Sequence, residues 1–285
     1  NLTTTKDEVI NLYAKWGSTN ITLKTPSREG YIFDGWSTTK DGNVISNTFT
    51  TEANITLYAN WTPITYKVKF HSNGGNGEMA EQLLTYDKKT ALSKNTFTKT
   101  GYTFSGWSES ANGEIKYTDE KEVKNLTTTK DEVINLYAKW TANEDTPYVV
   151  EHYKMNLDGT YSDTPSDVEN KTGTTDTNVT PSVKEYNGFT SPSVETQIIK
   201  GDGTTKIIYK YIRNKYTVTF DSKGGTSVES YTNYYKGDIV KPTNPTKVGH
   251  TFKGWYTTEE LTTEFDFTSK MPYENFTLYA KWEPV

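Results

Sequence analysis

The chain has 285 residues, a formal net charge of −5 and no basic run, which argues against nucleic acid or another polyanion as a partner. It contains no cysteine, so disulfide staples, thiol chemistry and Cys-based metal sites are excluded. No apolar run is long enough to span a bilayer and no signal-peptide pattern is present, while a Thr-, Tyr- and Asn-rich composition favours strands over helices.

The first sixteen residues are identical to residues 125–140, and Gly17-Ser18 follow them. Recent duplication in a longer parent, or a cloning scar at Gly17-Ser18, is preferred over a third reading, in which 1–16 supplies a strand to a truncated unit. The chain opens in mid-motif, so it is read as a fragment of a longer protein.

All seven tryptophans fall into two recurring phrases. Gly-aromatic-x-Phe-x-Gly-Trp spans Gly30–Trp36, Gly101–Trp107 and Gly249–Trp255, with His250 in the aromatic slot of the last. Leu-Tyr-Ala-(Lys/Asn)-Trp ends at Trp16, Trp61, Trp140 and Trp282. Residues this large are placed by packing, so their recurrence marks a repeated core. The alternative is that some are exposed platforms for sugar rings.

Residues 17–61 carry both phrases but no opening strand. A full unit follows at 62–140. It opens on the alternating Tyr66–Phe70, turns at His71-Ser-Asn-Gly-Gly75, and continues into a strand around Gln82–Tyr86. The glycine pair is expected to supply positive φ at the turn. Closing strands at Ile55–Trp61, Ile134–Trp140 and Phe276–Trp282 alternate as well. Phe276, Leu278, Ala280 and Trp282 share one face, and the small alanine leaves room for the other phrase's tryptophan.

A segment without tryptophan, 147–213, reads as a separate small β domain. It opens on Tyr148–Tyr153, carries a hairpin signal at Asp158-Gly159, and closes with Val194–Lys200, the turn Gly201-Asp-Gly203 and the strand Lys206–Tyr211. The last full unit, 214–285, repeats the opening strand at Tyr216–Phe220 and a second strand within Val228–Tyr235. Pro242 and Pro245 forbid a central strand after it. Only about six residues, Thr141 to Thr146, precede the domain without tryptophan, and Arg213-Asn-Lys215 alone divides it from the last unit; connections this short predict a stiff, elongated rod. Units of this size bury only about 60% of their unfolded surface, so aromatics, each burying roughly 150–250 Å², are expected to form most of each core.

These phrases resemble the Listeria–Bacteroides repeat, also called the internalin B-type repeat. The matching residues are Tyr216–Phe220 with Gly224-Gly225, Lys241–Pro245, Gly249–Trp255 and Leu278–Trp282. Residues 66–140 lack the proline pair and carry an insertion before Asn125, and residues 19–61 match only the second half. Segment 147–213 resembles a mucin-binding-protein (MucBP) domain through Val150–Tyr153, Asp158–Thr160 and Ile207–Tyr211. The resemblance implies a mainly β, β-grasp-like fold, with a small α+β element allowed. It also implies a bacterial surface setting and a stalk or adhesive role.

No convergent chemistry emerges. His71, His152 and His250 lie in separate units and read as a turn residue, a strand residue and an aromatic-slot residue. The acidic pairs Glu259-Glu260, Asp119-Glu120 and Asp131-Glu132 sit in polar stretches, without the cleft that a paired-carboxylate glycosidase needs. Asp158 and Asp202 read as turn residues, since no DxDxDG loop surrounds them. Asn20, Asn54, Asn125, Asn170, Asn178 and Asn275 head Asn-x-Thr sequons, which matter only in a eukaryotic secretory setting. Lys–Asn isopeptide cross-links occur in surface proteins of this type, but no motif here distinguishes one.

The expectation is therefore a non-enzymatic stalk or adhesin segment, without catalytic residue, metal or cofactor, and with no ligand residue assigned. Host glycans, mucins or surface proteins are the expected partners. The chain is expected to be monomeric and extracellular, wall-attached through regions outside it. The alternatives are a glycan- or mucin-binding module, an accessory region of a secreted enzyme, or partner binding through free sheet edges.

Overall fold

The computed structural model describes residues 9–12, 21–46, 48–49 and 53–285. Within them the protein is mainly β and contains no helix, so no α+β element is present there. The chain divides into two compact units, Asn1–Ala142 and Asn143–Val285.

Among the described residues, four-stranded sheets of one topology occur three times. In the first, the strands lie in the order Gln82–Thr85, Thr65–His71, Val133–Ala142, Tyr102–Ser108. In the last, the order is Tyr231–Tyr234, Lys215–Asp221, Phe276–Pro284, His250–Tyr256. The domain without tryptophan follows the same plan: Asp167–Gly173, Thr146–Lys154, Thr205–Arg213, Phe189–Thr190. In each, the opening and closing strands form a parallel central pair and the outer strands join antiparallel. Alternation signals a strand with one buried face, but it carries no direction, which is why parallel pairing is absent from the sequence reading.

The alternation does place the cores. Tyr66, Val68 and Phe70 of one opening strand are buried, while Lys67 and Lys69 between them are exposed. Leu136 and Ala138 close that core, with Trp107 beneath them. Val218, Phe220, Trp255, Leu278 and Ala280 are the matching set in the last unit.

The turn glycines divide their work differently from the expectation. Positive φ falls on Asn73 and Gly74, and again on Lys223 and Gly224. Gly75 and Gly225 are needed for space instead: a Cβ there would meet the Cζ2 of Trp140 at 2.7 Å or of Trp282 at 2.5 Å.

The truncated first unit has a three-stranded sheet, Val9–Leu12, Ile55–Pro63, Tyr31–Ser37. Val9–Leu12 pairs antiparallel with the closing strand, from Val9 opposite Tyr58 to Leu12 opposite Ile55. It occupies the side of the closing strand that an opening strand takes in the full units. The reading ranked last for the duplicated stretch, strand supply, thus describes what these four residues do. An unpaired closing strand offers a free edge, and a β-prone segment nearby takes it. Trp16, Gly17-Ser18 and Asn20 lie outside the described residues.

Candidate functional site

The Gly-Trp phrase delivers its tryptophan to the core. Trp36, Trp107 and Trp255 are essentially inaccessible, and each lies directly across the antiparallel ladder from an alanine: Ala59, Ala138 and Ala280. Trp61, Trp140 and Trp282 of the closing phrase are half-buried. Trp140 and Trp282 donate their indole N–H to the carbonyls of Ser72 and Ser222, each at 2.9 Å. Among the described residues, the buried indole N–H of Trp61 finds no such partner. The edge-to-face rings Phe33, Phe104 and Phe252 bridge the two tryptophans of each unit. Packing employs these tryptophans, which removes most of the surface a sugar platform would need.

Adjacent domains meet through a joint that occurs in both compact units. Ile64 is the single residue between the closing strand of the first domain and the opening strand of the second. Its N–H donates to the Gly30 carbonyl at 3.0 Å, and its carbonyl accepts from the Tyr86 N–H at 2.9 Å. Asn214 does the same between Gly188 and Tyr235, at 2.9 Å in both bonds. The glycine lies flat against the tyrosine: a Cβ on Gly30 would meet the Tyr86 ring at 2.3 Å, and one on Gly188 the Tyr235 ring at 2.2 Å. Tyr31 and Phe189, the residues after each glycine, stand edge-on to the same tyrosines. The first half of the pattern recurs at the last domain, where the Val285 N–H donates to the Gly249 carbonyl at 3.0 Å.

Side chains reinforce the two complete joints differently. In the first, the Tyr31 hydroxyl donates to Asp87 at 2.5 Å, and Lys124 and Asn125 reach the same carboxylate. The tyrosine hydroxyl, Lys124 and Asn125 hold Asp87 far below the usual carboxylate range. In the second, Arg213 Nε donates to the Met155 carbonyl at 2.8 Å and Nη1 to the Tyr235 carbonyl at 3.0 Å.

Beside that second joint lies an open cleft of about 460 Å³, whose lining includes Lys154, Glu185, Asn187, Arg213, Tyr235 and Lys236. Lys154 stands 3.6 Å from the centre of the Tyr186 ring, and Arg213 is 4.7 Å from that of Phe189. Burial, together with the cations Lys236, Arg213 and Lys184, holds Lys154 below the usual lysine range against the opposing pull of Asp167. Burial lowers Arg213 as well. A larger concavity in the first unit, about 750 Å³, has Arg28 and Lys40 balanced by Asp34 and Asp41.

The other candidates find structural roles. His71 stacks on Tyr137 with centroids 4.6 Å apart. His152 is buried between the Tyr211 hydroxyl and Glu169, each at 2.8 Å, and Lys171 and His152 keep Glu169 below the usual carboxylate range. The Nδ1 of His250 lies 2.9 Å from the Val248 carbonyl. Asp158 and Asp202 accept from the backbone and hydroxyl of Thr160 and Thr204. Among the described residues, no group of three or more His, Cys, Asp or Glu is arranged to hold a metal ion.

The sequence reading missed the joint and the cleft. The Gly188-Phe189 pair repeats the start of the Gly-Trp phrase, which was the available signal, but no tryptophan follows to draw attention to it.

Comparison with known proteins bears on the repeats. The family model of the Listeria-Bacteroides repeat domain matches residues 3–60, 66–139 and 216–281. The domain without tryptophan lies outside those matches. A protein of Evansella cellulosilytica named as a Gly-rich membrane protein is 33% identical over 278 residues, covering 90% of this chain and 31% of that protein. A second, named as a membrane protein of the same organism, is 32% identical over 249 residues, with coverages of 80% and 33%. Internalin H of Listeria monocytogenes is 44% identical over 70 residues, with coverages of 24% and 12%. The chain spans about a third or less of the length of these relatives. No helix among the described residues is long and apolar enough to cross a membrane.

Proposed function

Because the chain belongs to the Listeria-Bacteroides repeat domain family, we propose that it is a non-enzymatic repeat region of a bacterial surface protein, serving as a spacer that presents other parts of a longer protein. The observation that carries this reading is the repeated joint. A single linking residue bonded on both sides, with a tyrosine ring seated on a glycine, restrains two small domains at their junction. Membrane-protein and internalin names among the relatives support a surface location. Backbone ¹⁵N relaxation tests the spacer role. Domains flanking Ile64, and those flanking Asn214, are expected to share one correlation time within each pair. Independent tumbling across either residue overturns the reading.

A second reading, adhesion through the MucBP-like segment, is favoured by one observation, the cation-lined cleft beside Asn214. Beads carrying the full chain are expected to adhere to a mucin-coated surface more than beads carrying an unrelated β protein. Equal retention removes this reading and leaves the spacer untouched.

A further inference from the structure

The cleft at the second joint gathers three cations in a chain that carries more acidic than basic residues. Lys154, Arg213 and Lys236 are held by aromatic rings and carbonyls rather than by carboxylates. Lys154 lies over Tyr186 and, at 5.9 Å, over Phe189. Lys236 is 5.6 Å from the centre of the Tyr235 ring. Arg213 is fixed in orientation by its two backbone acceptors and by the Phe189 ring, with its Nη2 left over from those contacts. No ion pair within 4.0 Å joins any of the three to an acid among the described residues. Like charges brought together at a partly buried position raise the energy of the empty site and favour an incoming anion.

The rest of the lining fixes what kind of anion. A bare oxyanion fills only a fraction of a cleft of about 460 Å³, a size in the range of small-molecule sites, roughly 300–1,000 Å³. Exposed Glu185 offers an acceptor and exposed Asn187 both donor and acceptor. That mixture suits a polyol body, whose hydroxyls donate and accept by turns.

We propose that this cleft binds an acidic saccharide, its carboxylate or sulfate held by Lys154, Arg213 and Lys236 and its ring hydroxyls by Glu185 and Asn187. The assignment rests on the adhesive reading above and names its ligand class. It does not depend on the spacer reading. Charge-assisted hydrogen bonds dominate, so the site discriminates acidic from neutral sugars and weakens as salt rises.

The test is titration of the full ¹⁵N-labelled chain with sialyllactose, 6-sulfogalactose, neutral lactose and inorganic sulfate. Saturable shifts confined to residues 154–156, 185–189, 213 and 235–236 are expected with the two acidic sugars. The arms separate a carboxylate-bearing from a sulfate-bearing source. Lys236→Ala, at an exposed turn, and Lys154→Met, which keeps the apolar stem over Tyr186, are each expected to weaken binding about tenfold, the scale of one lost charge-assisted bond. Unchanged binding by both folded variants overturns the proposal. So does lactose binding as tightly as the acidic sugars, sulfate alone matching them, or no saturable shift with either acidic sugar at millimolar concentration. Adhesion of beads to mucin that survives both variants would leave the adhesive reading standing while sinking this site.

Discussion

Trp107 lies directly across the antiparallel ladder from Ala138, and both are fully buried. The small side chain is what lets the indole lie over the closing strand. Ala138→Leu is therefore expected to destabilise the second domain by about 1–3 kcal/mol through overpacking. Trp107→Ala is expected to cost about 3–5 kcal/mol through the cavity it leaves. Native-state hydrogen exchange on amides of Val133–Ala142 reads both. Wild-type protection in Ala138→Leu would mean that the ladder has room the geometry denies.

The closing tryptophans give a paired comparison. Trp140 donates to the Ser72 carbonyl, whereas the Trp61 indole N–H is buried without a partner among the described residues. Replacing tryptophan by phenylalanine removes a satisfied donor in one case and an unsatisfied one in the other. Trp140→Phe is expected to cost its domain about 1 kcal/mol more than Trp61→Phe costs the first, measured by hydrogen exchange in each sheet. Equal losses would show that the Ser72 bond contributes nothing net.

The joint can be opened by one methyl group. Gly188 has φ of 80°, and an added Cβ would stand 2.2 Å from Tyr235 Cδ1. Gly188→Ala is expected to leave amide protection in both flanking cores intact while the domains on either side of Asn214 acquire separate correlation times. Shared tumbling in the variant would show that the tyrosine seat is dispensable.

Alkaline pH should loosen the domain without tryptophan. Burial, and then the carboxylate of Asp167, push Tyr186 up to about 12, and burial raises Tyr211 too. A raised folded-state pKa gives stability that is complete below the unfolded value of about 10 and is lost as pH climbs through the folded value. Lys154 acts in the opposite sense, since its lowered pKa means that deprotonation relieves a cost. The tyrosines outnumber it, so Tm is expected to fall between pH 10 and 12. Tyr186→Phe is expected to flatten that fall, and an unchanged slope in the variant would remove Tyr186 from the account.

Much of the fold was legible because it rests on side-chain periodicity. Tyr66, Val68 and Phe70 alternate with lysines, and the structure buries the aromatics and valine and exposes the lysines. The Ala–Trp pairing was legible only as a suggestion: the alanine of the closing phrase signals room, but its separation from the facing tryptophan varies between units. Strand direction was not, because the alternation of Lys215–Asp221 reads identically for parallel and antiparallel neighbours. The joint was hidden for a different reason. Ile64 and Asn214 act through backbone atoms, and Gly30 and Gly188 act through a side chain they lack. The cleft was hidden because Lys154, Arg213 and Lys236 come from three distant stretches of chain and converge only after the sheets form.

The linking position holds isoleucine in one joint and asparagine in the other, and valine begins the same pattern at the last domain. A connection made by peptide groups allows different residues there, a buried isoleucine in one joint and an asparagine that accepts from Thr190 in the other. The domain without tryptophan offers its glycine to the following tyrosine just as the first Gly-Trp domain does. Gene segments whose borders fall at this residue each carry one half of the shared seam, the glycine upstream and the tyrosine downstream. An assembly of unlike modules can then be reordered by recombination while the two backbone bonds of the joint are kept.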